Sequence, residues 1–183
     1  MHTSDDDWEE VWAARLAAIS TVLGQACENV YHALVPFALG GQADVVAFPN
    51  HRGGTAYATA ELSGKPQSCY ADYELMICHR QASDWGPNLI SRLAPYTQQA
   101  YIHSGDSMDI DSVTPPESEI KALLFDDYAS FELFGATFQL RLCVGITKAE
   151  LNHKMEHGAD ALLVLLKQRG LYPFTDLGRT SII

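Results

Sequence analysis

The sequence predicts an α+β fold: one domain in which a mixed or antiparallel β-sheet is flanked by helices. Three observations predict it. Between Thr137 and Gly170 the hydrophobic period switches abruptly from two to that of a helix. A second strand-then-helix pattern occupies residues 71–96. Short alternating segments separated by Gly and Pro run through residues 43–79. Amphipathic strands and helices of this kind bury their apolar faces in a shared core.

In chain order, Ser4 and Asp7 have the spacing of a capping box, and the acidic residues 5–10 suit a helix N-terminus. Trp8, Trp12, Leu16, Ile19 and Leu23 form one helical stripe, read as core packing, in a helix expected over residues 5–27. Pro36 and Gly40–Gly41 close this region. Strands follow at Ala43–Phe48, Thr55–Leu62 and Ala71–His79, with turns at Pro49, Gly53–Gly54 and Gly64–Pro66. In the third, Ala71, Tyr73, Leu75 and Ile77 make one face, and Asp72, Glu74, Met76 and Cys78 the other.

The helix after Asp84-Trp85 carries Leu89, Ile90, Leu93 and Tyr96. It has a tolerated proline near its first turn (Pro87), and Pro95 should kink or break it. Residues 103–119 are polar and loop-like, with room for a short edge strand at Ser107–Asp111. Ile120–Phe125 is a strand, and Asp126–Asp127 begins a turn. Phe138, Leu140, Leu142, Val144 and Ile146 define a strand with one buried face. Thr147 and Glu150 form a capping box, Leu151, Met155, Ala159, Leu162, Leu163 and Leu166 a stripe, and Gly170 the stop of a helix of about six turns. The tail LYPFTDLGRTSII is apolar enough to pack back on the body.

At 183 residues the chain has the length of one domain with a full core. Its net charge of −11 opposes nucleic acid and anionic membrane and favours a basic protein or peptide. Cys27, Cys69, Cys78 and Cys143 make no C-x-x-C pair, so they read as reduced thiols packed as small apolar residues. The acidic MHTSDDDWEE does not resemble a secretory signal, and no apolar run approaches the ~20 residues of a membrane span. The expected location is the cytoplasm, and no cofactor is expected.

One catalytic-looking motif is present. His153, Glu156 and His157 fit the inverted zincin pattern H-x-x-E-H, in which two imidazoles one turn apart hold zinc and the glutamate acts as base. A third ligand is wanting, since no Glu follows position 157, and Met155 already belongs to the apolar stripe. Asp72 and Glu74 share a strand face and could pair as acid and base, although such carboxylates usually face water. G-x-S-x-G, G-x-G-x-x-G and Walker-type motifs are absent.

From about residue 42 onward the chain resembles the Suppressor of fused family, specifically its N-terminal domain and the stand-alone bacterial versions. The resemblance is carried by Asp44-Val45 with Phe48-Pro49; Thr59, Leu62 and Ser63 in TAELS; Tyr73-Glu74-Leu75 followed by Asp84-Trp85; and Ser104-Gly105-Asp106. It continues through the Val144–Glu150 junction and Thr175-Asp176 with Arg179. Glu61 departs from the pattern, where the family turn has glycine.

The resemblance implies a mixed α/β protein-binding module without catalytic activity. For bacterial members it implies an immunity role against polymorphic or contact-dependent toxins. It also implies partner contact at the 57–63 segment, where Tyr57, Thr59, Glu61 and Ser63 are the candidate residues; Tyr57, Thr59 and Glu61 would share one strand face. An exposed β edge near 55–63 or 107–111 would accept an extended peptide. The alternatives are a metal-dependent hydrolase built on His153, Glu156 and His157, or a self-associating scaffold.

Overall fold

The computed structural model describes residues 5–183, so Ser4 of the expected N-terminal capping box lies outside the described residues. Helix α1 spans Asp5–Leu23, shorter than expected, and is followed by strand β1 (Val30–Tyr31). Strands β2 (Val45–His51), β3 (Gly54–Thr59) and β4 (Tyr73–His79) then form an antiparallel meander. Helix α2 (Trp85–Leu93) passes into a 3-10 turn over Ala94–Gln98, so the chain does change course at Pro95. Strands β5 (Ser107–Asp109), β6 (Ile120–Leu133) and β7 (Ala136–Thr147) complete one seven-stranded sheet, ordered β1-β2-β3-β4-β7-β6-β5. Among the described residues β4 and β7 are the one parallel pair of neighbouring strands in the sheet, so the sheet is mixed and the fold is α+β. No helix among the described residues is long and apolar enough to cross a membrane.

The turn expected at Asp126–Asp127 is continuous strand within β6 instead, with a register shift just after it, between Asp127 and Ala129. The chain reverses at Phe134–Gly135, where φ is +49° and +75°, the paired positive values of a two-residue hairpin turn whose twist matches that of its strands. Pro49 likewise lies within β2, and the reversal comes at Arg52–Gly53.

The sheet has a core on each face. On one, Ile19 and Leu23 of α1 and Leu162 and Leu166 pack on Val46, Met76, Leu140 and Leu142. On the other, Ile90 and Leu93 of α2 and Phe37 pack on Val45, Tyr57, Leu75, Ile77 and Cys143. The single buried face expected for the third and last predicted strands is therefore wrong. Central strands covered on both sides bury every residue, and β4 does so from Tyr73 to His79. Each fully buried Leu or Ile contributes roughly 1.5–3 kcal/mol, so the double core stabilises both helical layers.

The six-turn helix expected after β7 is two helices, α3 (Lys148–His157) and α4 (Ala159–Gln168). They are separated by Gly158 at φ +91°, ψ 162°, a conformation reserved for glycine. The break redirects the stripe: Leu162, Leu163 and Leu166 are buried, while Met155 is 71% exposed. The Thr147–Glu150 capping box is present in full.

Candidate partner-binding face

Antiparallel pairing alternates its hydrogen bonds, and this decides which groups of an edge strand remain open. Phe125 N–H donates to Asp106 O at 3.0 Å and Ile110 N–H to Lys121 O at 2.9 Å. Met108, halfway between them, faces Leu123. The main-chain groups of Ser107 and Asp109 therefore point away from the sheet, along its free margin. The Ser104-Gly105-Asp106 loop sets this strand in place. Gly105 N–H donates to Phe125 O at 2.8 Å, and Asp106 accepts from His103 N–H at 2.8 Å.

Beside β5 runs a groove of about 440 Å³, walled by Trp85 and Leu89 of α2 and by Met108, Ile110 and Val113. The Trp85 indole N–H donates to Val113 O at 3.0 Å and ties the two walls together. Asp109 and Arg92 are the charged residues of its lining, and the neighbouring Asp111 is paired to Lys121 at 2.7 Å. An apolar slot next to open strand groups suits an extended peptide: main-chain pairing supplies affinity, and side-chain pockets supply choice.

The four residues expected to contact a partner lie elsewhere. Strand β3 sits between β2 and β4, so the open edge expected near 55–63 does not exist there, and the edge at 107–109 does. Tyr57 is buried, its hydroxyl accepting from Ser83 N–H at 3.2 Å and its ring set edge-on to Tyr31 and His79. Thr59 is buried, donating to Glu74 at 2.6 Å and accepting from Leu75 N–H at 2.9 Å. Ser63 is buried and gives both its N–H (2.8 Å) and its hydroxyl (2.6 Å) to Glu74. Glu61 lies beyond the end of β3, half-buried, accepting from Asp44 N–H at 2.7 Å. The four do not form one exposed face, and of them only Glu61 offers surface.

Glu74 is the centre of this cluster and is fully buried, not turned to water as its strand position suggested. Burial raises its carboxyl, while Arg15 and the Ser63 and Thr59 donors oppose the rise. Burial lowers Arg15, and Glu74 and Glu61 oppose that. The guanidinium also donates to Ala60 O and Ser63 O, so α1 is bolted to the turn after β3 by a buried charge with buried partners.

A second cluster closes the tail. Arg179 donates twice to Glu150 at 2.6 Å and once to Gly145 O at 3.0 Å. Thr175 accepts from Gly145 N–H at 2.8 Å. A Cβ on Gly145 would stand 2.6 Å from the Thr175 methyl, which is why the β7 junction needs glycine there. Burial works to raise the Glu150 carboxyl, but the hydrogen bonds from Arg179, Thr147 and Ile182 outweigh it and hold it below the usual range.

Sequence reasoning missed Arg15, Arg141 and His79. Arg141 is buried 3.2 Å from Asp127 and lies over Tyr73 and Tyr101 at 5.0 and 5.9 Å, although alternation placed it on the polar face. His79 donates from Nδ1 to Thr175 O at 2.8 Å, which leaves Nε2 a bare acceptor. Position alone does not distinguish such groups from solvent-facing ones.

His153 and His157 have ring centroids 4.4 Å apart near the end of α3, with Glu156 and His157 exposed. Among the described residues no three His, Cys, Asp or Glu side chains come together to hold a metal ion. The four cysteines are free; burial pushes Cys78 up to about 12 and also raises Cys143.

A family model described as Suppressor of fused protein (SUFU) matches residues 41–180. No curated protein matches the sequence. Among solved structures, the Sufu–Fu complex contains a chain of TM-score 0.74 and 15% identity, covering 93% of this chain and 91% of that one. Drosophila Suppressor of Fused gives 0.72 and 15%, covering 94% of this chain and 50% of the fly chain. A homologue from Neisseria gonorrhoeae FA 1090 gives 0.68 and 16%, covering 96% and 98%. At such identities the likeness establishes the fold.

Proposed function

The chain belongs to the Suppressor of fused family, and from that premise we propose that it is a non-enzymatic module that captures a basic protein by an extended segment. The observation that carries this reading is the open margin of β5, with the outward main-chain groups of Ser107 and Asp109 beside the Trp85–Met108 groove. The net charge of −11 would steer a basic segment to it. A related fold has been solved as the Sufu–Fu complex, which supports a protein ligand in this family.

The biological role that best fits is immunity: the module neutralises a polymorphic or contact-dependent toxin in the cytoplasm of the producing cell. Supporting it are the fold shared with the bacterial homologue from Neisseria and the acidic charge that suits a basic toxin domain. Tyr57, Thr59 and Ser63 contribute by fixing the sheet and turn from within, and Glu61 by direct contact. The test is purification from the native host at low salt, with mass spectrometry of what is retained. A basic protein in stoichiometric amount is expected; recovery of the free monomer alone would defeat the reading.

A further inference from the structure

A second cavity, of about 210 Å³, lies between α1 and the segment that follows β3. Trp8, Phe37 and Tyr70 supply aromatic walls, and Glu61 and Asp7 carboxylates. Trp8 is stacked on Trp12 at 5.4 Å, and Tyr70 meets Phe37 edge-on at 4.9 Å, so neighbouring rings set the orientation of these walls. Trp8 and Tyr70 remain about half exposed, which keeps the cavity open to solvent.

The charges of the lining are not equally committed. Lys65 is paired with Asp7. Arg15 is spent on Glu74, Ala60 O and Ser63 O. Glu61 alone has no cationic partner within ion-pair distance among the described residues, and only its Oε2 is hydrogen-bonded, to Asp44 N–H. Burial raises this carboxyl and the nearby Asp44 and Glu74 charges add to the rise, while the Asp44 N–H hydrogen bond and the Arg15 charge oppose it. Arg15 and Lys65 also line the cavity, but each is held by its own partners, so what the lining offers a ligand is the Glu61 carboxylate beside electron-rich rings, a combination that suits a cation.

We propose that this cavity receives one cationic side-chain tip, an alkylammonium or guanidinium group, among Trp8, Phe37 and Tyr70 and against Glu61. Its volume is below the ~300 Å³ at which sites for drug-sized ligands begin, and matches a single side chain better than a small-molecule substrate. Trp8, Asp7 and Phe37 precede the 41–180 family match, while Glu61 and Tyr70 lie within it. The inference goes beyond peptide capture at β5 and stands without it.

The test is a titration of the full chain, followed through its tryptophan indole N–H resonances. The cationic probes are N-acetyl-trimethyllysine methylamide and N-acetyl-arginine methylamide. N-acetyl-norleucine methylamide serves as the uncharged counterpart and N-acetyl-glutamate methylamide as the acidic one. At least one cationic probe should shift the Trp8 indole saturably and bind at least tenfold more tightly than norleucine. Glu61→Gln, which keeps the acceptor for Asp44 N–H, should weaken it at least tenfold. Tyr70→Ala, at an exposed ring, should do the same if Glu61→Gln fails to fold. Equal binding of the norleucine probe, preference for the acidic one, no saturable shift with any probe, or wild-type affinity in the folded variants would each overturn the proposal. Blocking β5 should leave the titration unchanged, so its failure is separable from failure of the capture reading.

Discussion

Single side chains in this fold are most informative where a buried charge meets its partner. Glu150 is fully buried and Arg179 nearly so. Arg179→Ala should therefore cost roughly 3–5 kcal/mol in a urea titration, the penalty of a buried charge left alone. Arg179→Ala combined with Glu150→Gln should recover part of that loss. Because the folded carboxyl of Glu150 is held below its unfolded value of ~4.3, its contribution is complete above that pH and disappears as the pH falls through the folded value. His79 acts higher on the scale. Burial lowers its pKa, so below the unfolded value of ~6.5 the unfolded chain takes up a proton that the folded chain refuses. The thermal midpoint should drop between pH 7 and the folded value, and His79→Gln should flatten part of that slope, to which His51, also lowered by burial, contributes. A slope identical in wild type and variant would show that His79 does not titrate there. Thr147, Glu150 and Gly170 could be read directly because capping boxes and positive-φ stops are local. Arg15 and Arg141 could not, because their partners lie 59 and 14 positions away, at Glu74 and Asp127.

At the level of elements, periodicity located nearly every strand and helix but not their covering. Alternation in β4 and β7 is real, yet both faces are buried, because α1 and α4 cover one side of the sheet and α2 the other. The same local signal did not show that β3 is interior, which follows from its pairing with β2 on one side and β4 on the other. Gly158 falls inside the six-turn helix expected after β7, and its φ of +91° separates α3 from α4. Gly158→Ala should cost ~1–3 kcal/mol despite the better helix propensity of alanine, because the backbone there is closed to a Cβ. A gain in stability would show that the break is optional. For β5, the outward N–H groups give a specific expectation. Ser107→Pro or Asp109→Pro removes a donor that the sheet does not use, so the fold should survive with a thermal midpoint near wild type. Capture of the native-host partner should fall at least tenfold, measured by calorimetry once that partner is in hand. Wild-type affinity in both variants would move the contact off this edge.

For the molecule as a whole, charge and topology separate two kinds of work. The seven-stranded sheet with its double core holds β5, the groove and the α1 cavity in fixed relation, and the side chains most like the family pattern are largely consumed in doing so. That explains why the resemblance located the fold readily while Tyr57, Thr59 and Ser63, offered for partner contact, are buried: Thr59, Ser63, Glu74 and Arg179 bind the chain to itself. What is left for a partner is the field and the open edges. With 23 acidic against 12 basic residues, association with a basic protein should be steered over long range. Raising the ionic strength from ~0.01 to ~0.15 M shortens the screening length from ~30 to ~8 Å. The association rate constant, followed by stopped-flow fluorescence, should then fall by about tenfold or more, while the dissociation rate changes little. An association rate indifferent to salt would mean that recognition rests on the β5 margin and its apolar groove alone.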